Sequence, residues 1–274
     1  MEKEKRNSTQ IRVSQPLARN EGRYWSDTAL VLRTADWQEM DRLVTLYTQT
    51  AGKIRVVAKG ARKSGNRFGS SLEPATIGKF SFYSGRGWPI LSQSEIRVSF
   101  RHLISEPRRF LAVHYLLFLI NDSIEEEFPD AAFFSHLCYF LELIAGTGMI
   151  DSILTRFRCD LLAYLGVEPR TNECSRCGQP AKNSTCWDGF SGGVICDSCN
   201  ENKRGILLFR DTAMILRVMV SASRREALRL RLTSRQVVDV DRLLADYYSF
   251  HVHEGLPSWQ AFLQKYQGKT SNVI

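Results

Sequence analysis

TALVLRTADWQEMDRLVTLYTQTAGKIRVVAK, Thr28 to Lys59, is the stretch on which the fold turns. Three runs within it, residues 28–33, 43–48 and 54–59, are rich in β-branched and aromatic residues and read as short strands. Ala51-Gly52-Lys53 reads as a tight connection between the second and third runs. Two more runs, 76–84 and 89–96, have the same character, with Gly85-Arg86-Gly87 as the turn between them. Five short strands in about 75 residues imply a small barrel. The five-stranded OB-fold is the commonest nucleic-acid-binding barrel of this size. Periodicity alone does not separate it from an SH3-like barrel.

Beyond residue 100 the pattern turns helical. Pro107 suits the first turn of a helix that buries Phe110, Val113, Leu117 and Ile120. A second helix is predicted over 133–145, stopping near Gly146 and Gly148. A third is predicted from an Asp151 N-cap to Gly166. Two more are predicted over 211–221 and 234–251, the last after a cap at Thr233 or Ser234. Short links between helices imply one bundle. The fold class expected is therefore α+β, an N-terminal five-stranded barrel, OB-fold or SH3-like, followed by an all-α domain.

A cysteine frame interrupts the helices. Cys174, Cys177, Cys196 and Cys199 form C-x2-C, eighteen residues, C-x2-C. Each two-residue gap aims two sulfurs at one point, and two such turns supply the tetrahedral thiolate set that Zn2+ prefers. All four positions are filled by protein, so the expected cofactor is one structural Zn2+. A redox dithiol would need only one pair. Cys186 lies between the pairs and is left out of the set, since four ligands are already present. Cys138 and Cys159 sit in apolar helical patterns and read as core thiols.

The chain has 274 residues, 43% of them hydrophobic and 24% charged, an ordinary globular balance. Residues 1–23 are polar and lack the apolar core of a secretory signal, so they read as a flexible tail. The longest apolar run, 110–120, is too short to span a bilayer, and no membrane association is expected. With four cysteines assigned to metal, the chain reads as cytosolic.

A formal net charge of +8 points to an anionic partner. Between residues 51 and 72 there are six basic residues and no acidic one: Lys53, Arg55, Lys59, Arg62, Lys63 and Arg67. Residues 59–71 read as a mobile cationic loop able to follow a phosphate backbone. Trp37, Phe68 and Trp88 lie at strand or loop edges, where they could stack on bases.

No catalytic constellation emerges. Asn66 stands where a phosphate-binding loop needs lysine, and neither cysteine pair follows a proline as a zinc deaminase requires. No enzymatic activity is expected. Glu125-Glu126-Glu127 reads as an exposed helix face, and His251-Val252-His253-Glu254 as a solvated helix end.

The segment ALVLRTADWQEMDRLVTLYTQTAGKIRVVAKGARKS, Ala29 to Ser64, resembles the opening of the bacterial DNA-repair and recombination-mediator family RecO. FSFYSGRGWPILSQSEI (Phe80 to Ile96), RFRCDLLAYLGVEP (Arg156 to Pro169) and GGVICDSC (Gly192 to Cys199) are similar to the family's later strands, the helix before its zinc site and the second half of that site.

The resemblance implies an N-terminal five-stranded OB-fold barrel over 24–100, an all-α domain over 101–262 with a zinc-ribbon insertion at 171–203, and a C-terminal tail over 263–274. It further implies a cytoplasmic, nucleoid-associated protein that binds single- and double-stranded DNA and anneals complementary strands. RecR, the C-terminal tail of single-stranded DNA-binding protein and RecA are the partners it implies. Phosphate contacts are expected from Arg42, Lys53, Arg55, Lys59, Arg62, Lys63 and Arg67. The alternative expectation is a zinc-ribbon module that docks repair or replication proteins and binds little DNA. In that case Arg156, Arg158, Arg224, Arg225, Arg229 and Arg231 would supply countercharge for an acidic tail.

Overall fold

The computed structural model describes residues 24–84, 87–181, 186–200, 205–253 and 255–267. The expected N-terminal tail, the Gly85-Arg86 turn, Glu254, the end of the insertion at 201–203 and residues 268–274 lie outside them. Strands β1 (Tyr24–Trp37), β2 (Asp41–Thr48), β3 (Gly52–Ala58), β4 (Thr76–Tyr83) and β5 (Ile90–Ser99) close into a barrel of order β1-β2-β3-β5-β4. Neighbours pair antiparallel except β3 and β5, which meet in parallel with Val57 opposite Ile90. This is the OB-fold.

β1 runs longer than its period-2 pattern suggests because its register shifts between Val31 and Arg33. Its first half pairs with β4 and its second with β2. Around the shift, Ala29 and Val31 fill the barrel, while Leu30 and Leu32 pack against the helices. A strand buried on both faces shows no clean alternation.

The loop after β3, expected to be mobile, is stitched to the barrel. Ala61, Phe68 and Leu72 are buried in its core, and residues Gly69–Leu72 form a 3₁₀ turn. The Asn66 side-chain oxygen accepts the N–H groups of Phe68 (3.0 Å) and Gly69 (3.1 Å). Thr34 donates to the Leu72 carbonyl at 2.5 Å.

Helices α1 (Pro107–Ser123), α2 (Ala131–Gly146), α3 (Ile150–Tyr164), α4 (Arg210–Ser221), α5 (Arg224–Ala227), α6 (Ser234–His251) and α7 (Trp259–Gln267) share one apolar core. Asp130 caps α2 and a Thr233–Gln236 capping box opens α6. Gly166, at φ +75°, closes α3: its N–H donates to Ala163 and that of Val167 to Leu162, the Schellman pattern. Among the described residues no helix is long and apolar enough to cross a membrane.

Asp151 is not the cap of α3; it lies in the first turn, where it accepts Arg108 at 2.7 Å and the Trp259 indole N–H at 3.1 Å. The short helices α5 and α7 are too brief to show a period. The tail expected from residue 263 starts later: α7 continues to Gln267, with Leu263 buried, because Phe262 and Leu263 pack into the helical core. α7 is capped from outside: the Asp241 carboxylate accepts the N–H groups of Trp259 (2.9 Å) and Gln260 (2.8 Å). Asp241 also pairs with Arg158, and both side chains are buried.

Arg156 donates to the Met219 and Ala222 carbonyls and pairs with Asp160. Arg156 and Arg158 are therefore internal ties, not countercharge for a docking tail.

The acidic run is not a helix face. α1 ends at Ser123, and the α1–α2 connection lies along the open edge of β3, with Glu126 bridging to Lys53. The Glu127 N–H donates to the Lys53 carbonyl at 2.9 Å, and Glu126 pairs with Arg55. Lys53 Nζ donates to the Asn121 carbonyl at 2.6 Å. Gly52, at φ +70°, presses against the Phe128 backbone: a Cβ there would sit 2.4 Å from the Phe128 oxygen. Gly52→Ala is expected to cost about 2 kcal/mol or more, read as a lowered urea midpoint of the full chain. An unchanged midpoint would remove this contact from the account.

Between α2, α3 and α5, Arg224 donates to His136 Nδ1 at 2.7 Å, leaving the ring proton on Nε2, 3.3 Å from Asp160. Burial, then the Arg224 and Arg156 charges, push His136 down to about 4. Unfolded histidine titrates near 6.5, so between about 6.5 and 4 the unfolded chain binds a proton that the folded chain refuses. Stability is expected to fall as pH drops through that window, by about 2–3 kcal/mol from this group. In unfolding titrations His136→Gln should flatten that part of the profile.

Candidate nucleic-acid interface and metal centre

The outward residues of β1, β2 and β3 form a platform in rows fixed by strand register. Arg33 lies opposite Thr45, which lies opposite Arg55; the next row is Ala35, Leu43 and Val57. The basic row borders a groove of about 330 Å³ whose far wall is Asn121 and Glu126. Trp37 and Trp88 stand at the outer end of the platform, 37% and 38% exposed. Their rings meet edge to face at 5.2 Å, and the Arg55 guanidinium lies 5.6 Å from the Trp88 ring. Flat aromatic surface beside cations suits stacking on bases while the cations meet phosphate.

The basic residues named from the sequence divide into groups. Arg42 and Arg62 share Asp36, at 3.9 and 3.5 Å, and Arg62 also donates to the Glu39 carbonyl at 3.0 Å. Lys59 and Lys63 are exposed and make no ion pair among the described residues. Arg55 is half-exposed and held by Glu126. Arg67 turns away from the platform, lying 4.9 Å over the Phe68 ring and donating to the Leu91 carbonyl.

Two expectations are corrected. Phe68 is 4% exposed in the barrel core, so it has no free face for a base. Lys53 is buried, its Nζ is committed to the Asn121 carbonyl, and desolvation pulls its pKa down against the opposing pull of Glu126 and Asp122. Arg33 was missed. It looked like the end of a strand, and only the register with Thr45 and Arg55 makes it part of a row.

The four frame cysteines come together: their sulfurs all lie within 4.8 Å of one another, and Cys177 and Cys196 are 3.7 Å apart. A tetrahedral tetrathiolate site with arms of about 2.3 Å has edges of about 3.8 Å, so the residues fit a metal ion. The first knuckle closes by Gly178 N–H to the Cys174 carbonyl (2.9 Å), the second by Cys199 N–H to the Cys196 carbonyl (3.0 Å). Arg176 ties the two, donating to the Cys199 carbonyl at 2.8 Å and to Asp188 at 2.7 Å.

Burial of Cys174 is outweighed by backbone N–H groups of Cys177, Cys196 and Arg176, which bring its thiol down to about 6. Hydrogen bonds to Cys196 and Cys177 push Cys199 up to about 12. Without metal the cluster thus holds protons unevenly, and a cation would replace them.

The cluster sits on a small sheet of β6 (Cys186–Asp188), β7 (Gly193–Ile195) and β8 (Ile206–Leu207), ordered β7-β6-β8. Cys186 is outside the ligand set; it is buried under Cys174 and Ile195, with the Asn200 amide 3.1 Å from its sulfur. Trp187 packs on Tyr247 at 5.7 Å, and His251 Nε2 lies 2.7 Å from the Gly189 carbonyl. His251, expected at a solvated helix end, therefore joins α6 to the ribbon.

Cys174→Ser and Cys199→Ser are each expected to abolish stoichiometric metal retention and lower the melting temperature, measured by elemental analysis and thermal unfolding. Full metal content in either variant would refute the ligand set.

A family model described as "Recombination protein O N terminal" matches residues 23–100, and one described as "Recombination protein O C terminal" matches residues 104–260. Curated relatives share the name "DNA repair protein RecO". The one from Desulforamulus reducens is 27% identical over 250 residues, covering 89% of this chain and 97% of the relative. That from Roseiflexus sp. is 31% identical over 243 residues, covering 88% and 85%. The Caldanaerobacter subterraneus subsp. tengcongensis protein is 25% identical over 232 residues, covering 84% and 94%.

Proposed function

Because this chain belongs to the recombination protein O family of DNA repair proteins, we propose that it is a recombination mediator that binds DNA through its barrel platform and promotes strand annealing. The observation that carries the reading is the Arg33–Thr45–Arg55 row beside the exposed Trp37–Trp88 pair. Lys59 and Lys63, with Arg42 and Arg62 behind them, extend the positive surface at the end of the platform. Such a surface meets phosphates and base faces and leaves base edges unread, as annealing of any complementary pair requires.

In this reading residues 24–100 are the DNA-binding unit, and residues 101–262 carry contacts to RecR, single-stranded DNA-binding protein and RecA. The protein works at the nucleoid in the cytoplasm and performs no catalysis. The cysteine centre, Cys174, Cys177, Cys196 and Cys199, holds one Zn2+: four thiolates with no open position suit this ion in a structural role.

Arg33→Ala with Arg55→Ala in the full chain is expected to weaken single-stranded DNA binding about tenfold. It should also lower the slope of log affinity against log salt by roughly 1.4, as for two lost phosphate contacts. Trp88→Ala should cost about 1–3 kcal/mol with little change in slope. A double variant with the parental slope and affinity would sink the platform assignment.

A further inference from the structure

The far side of the barrel carries a second polar surface. Across β5, β4 and β1 runs a trough of about 400 Å³. Its floor is built from Ser81, Ser92, Gln93 and Ser94, with Arg67 at one end and Lys79 towards the other. Lys79 is exposed and makes no ion pair among the described residues. Arg67 is held in place by the Phe68 ring and the Leu91 carbonyl, and it too has no carboxylate partner among the described residues.

One carboxylate, Glu95, lies opposite Lys79 in the β4–β5 register, so the trough still holds more positive charge than negative. Ser71 and Ser94 share a hydrogen bond of 2.6 Å, and Ser92 donates to the Ser81 carbonyl at 2.9 Å, which fixes the floor.

Hydroxyl, amide, guanidinium and ammonium groups together are the donor set that contacts phosphate and sugar oxygens. The platform has exposed tryptophans; the one aromatic among the residues lining the trough, Phe68, is buried. Tyr24 and Tyr83, with ring centroids 5.0 Å apart, stand one row beyond Ser26 and Ser81 on the same outward face. A strand in the trough would accordingly be held mainly through its phosphates, with steep salt dependence, and a base at its end would meet the exposed Tyr24 ring.

In a closed barrel of order β1-β2-β3-β5-β4, the outward surface of β4 and β5 faces away from that of β2 and β3. The loop of residues 59–67 passes between the two surfaces.

We propose that the Arg67–Lys79 trough is a second track for a single-stranded nucleic-acid backbone, so that one chain holds two strands on opposite sides of its barrel. The proposal rests on the platform reading for the first strand. It adds a device for annealing: two strands brought together with their phosphates screened and their base edges free.

The test uses the full chain and oligodeoxythymidylate of about ten nucleotides, within the span of one OB-fold. Two non-complementary populations carry donor and acceptor dyes. The parental protein is expected to bind two strands per chain at low salt, with energy transfer between them. Lys79→Glu and, separately, Gln93→Glu should weaken the second strand about tenfold or more and leave the first within about twofold. Both positions are exposed, and thermal unfolding checks that each variant remains folded.

Saturation of the parental protein at one strand per chain would overturn the proposal. So would a second strand indifferent to both variants, or lost equally in an uncharged Lys79→Gln control and in a distant surface-lysine variant. Arg33→Ala with Arg55→Ala separates the two readings. If it spares the first strand, the platform reading fails; if it removes the first strand and the Lys79 variant removes only the second, both stand.

Discussion

The open edge of β3 is the constraint on which the arrangement of the molecule depends. β3 meets β5 at a single register pair, Val57 and Ile90, so its first half has unpaired backbone groups on that side. An unpaired edge must be covered or it becomes a site of association. Here the α1–α2 connection covers it, through the Glu127–Lys53 backbone bond and the Glu126 bridge. Lys53 reaches the carbonyl end of α1, where a cation is favoured by the helix dipole. Tyr47, on the neighbouring strand, packs its ring 5.7 Å from Phe133 and 6.5 Å from Phe134. The barrel is thereby clasped in one orientation, with the Arg33 and Arg55 row left open beside α1.

The helical part is tied by internal charges in the same manner. Asp241 answers Arg158 and also the first N–H groups of α7, so one buried carboxylate joins α3, α6 and α7. A buried pair of this kind contributes little to net stability over apolar packing, but removing one partner strands a charge. The cysteine ribbon is a further brace, seated on α6 by Trp187 against Tyr247 and by His251 against Gly189. Gly193 shows how closely it docks: a Cβ there would lie 2.2 Å from the Arg170 oxygen. The four-cysteine cluster thus sits on the helical half, not on the basic platform.

Charge was legible along the chain only in part. Residues 51–72 contain no carboxylate, yet folding brings Asp36 to Arg42 and Arg62, and Glu126 to Arg55. Lys59 and Lys63 keep the exposure that their setting suggested, whereas Lys53 is drawn into the clasp. Phe68 lies among glycines, serines and basic residues and reads as a loop-edge aromatic, but the loop needed an apolar anchor and Phe68 is it. Arg33 reads as a strand end because the register shift in β1 hides its face.

By itself the sequence determined five strands, the α+β order, the end of α3 at Gly166, the Thr233 cap of α6 and the four-cysteine set. Each of these rests on a local rule: alternation, a cap or turn residue, or a two-residue gap between ligands. The tertiary structure alone decided which cations remain available, which aromatic is core and what the acidic run does. Those outcomes depend on partners many residues away, Lys53 with Asn121, Arg55 with Glu126, Arg158 with Asp241, and only closure of the barrel and packing of the helices brings them within reach.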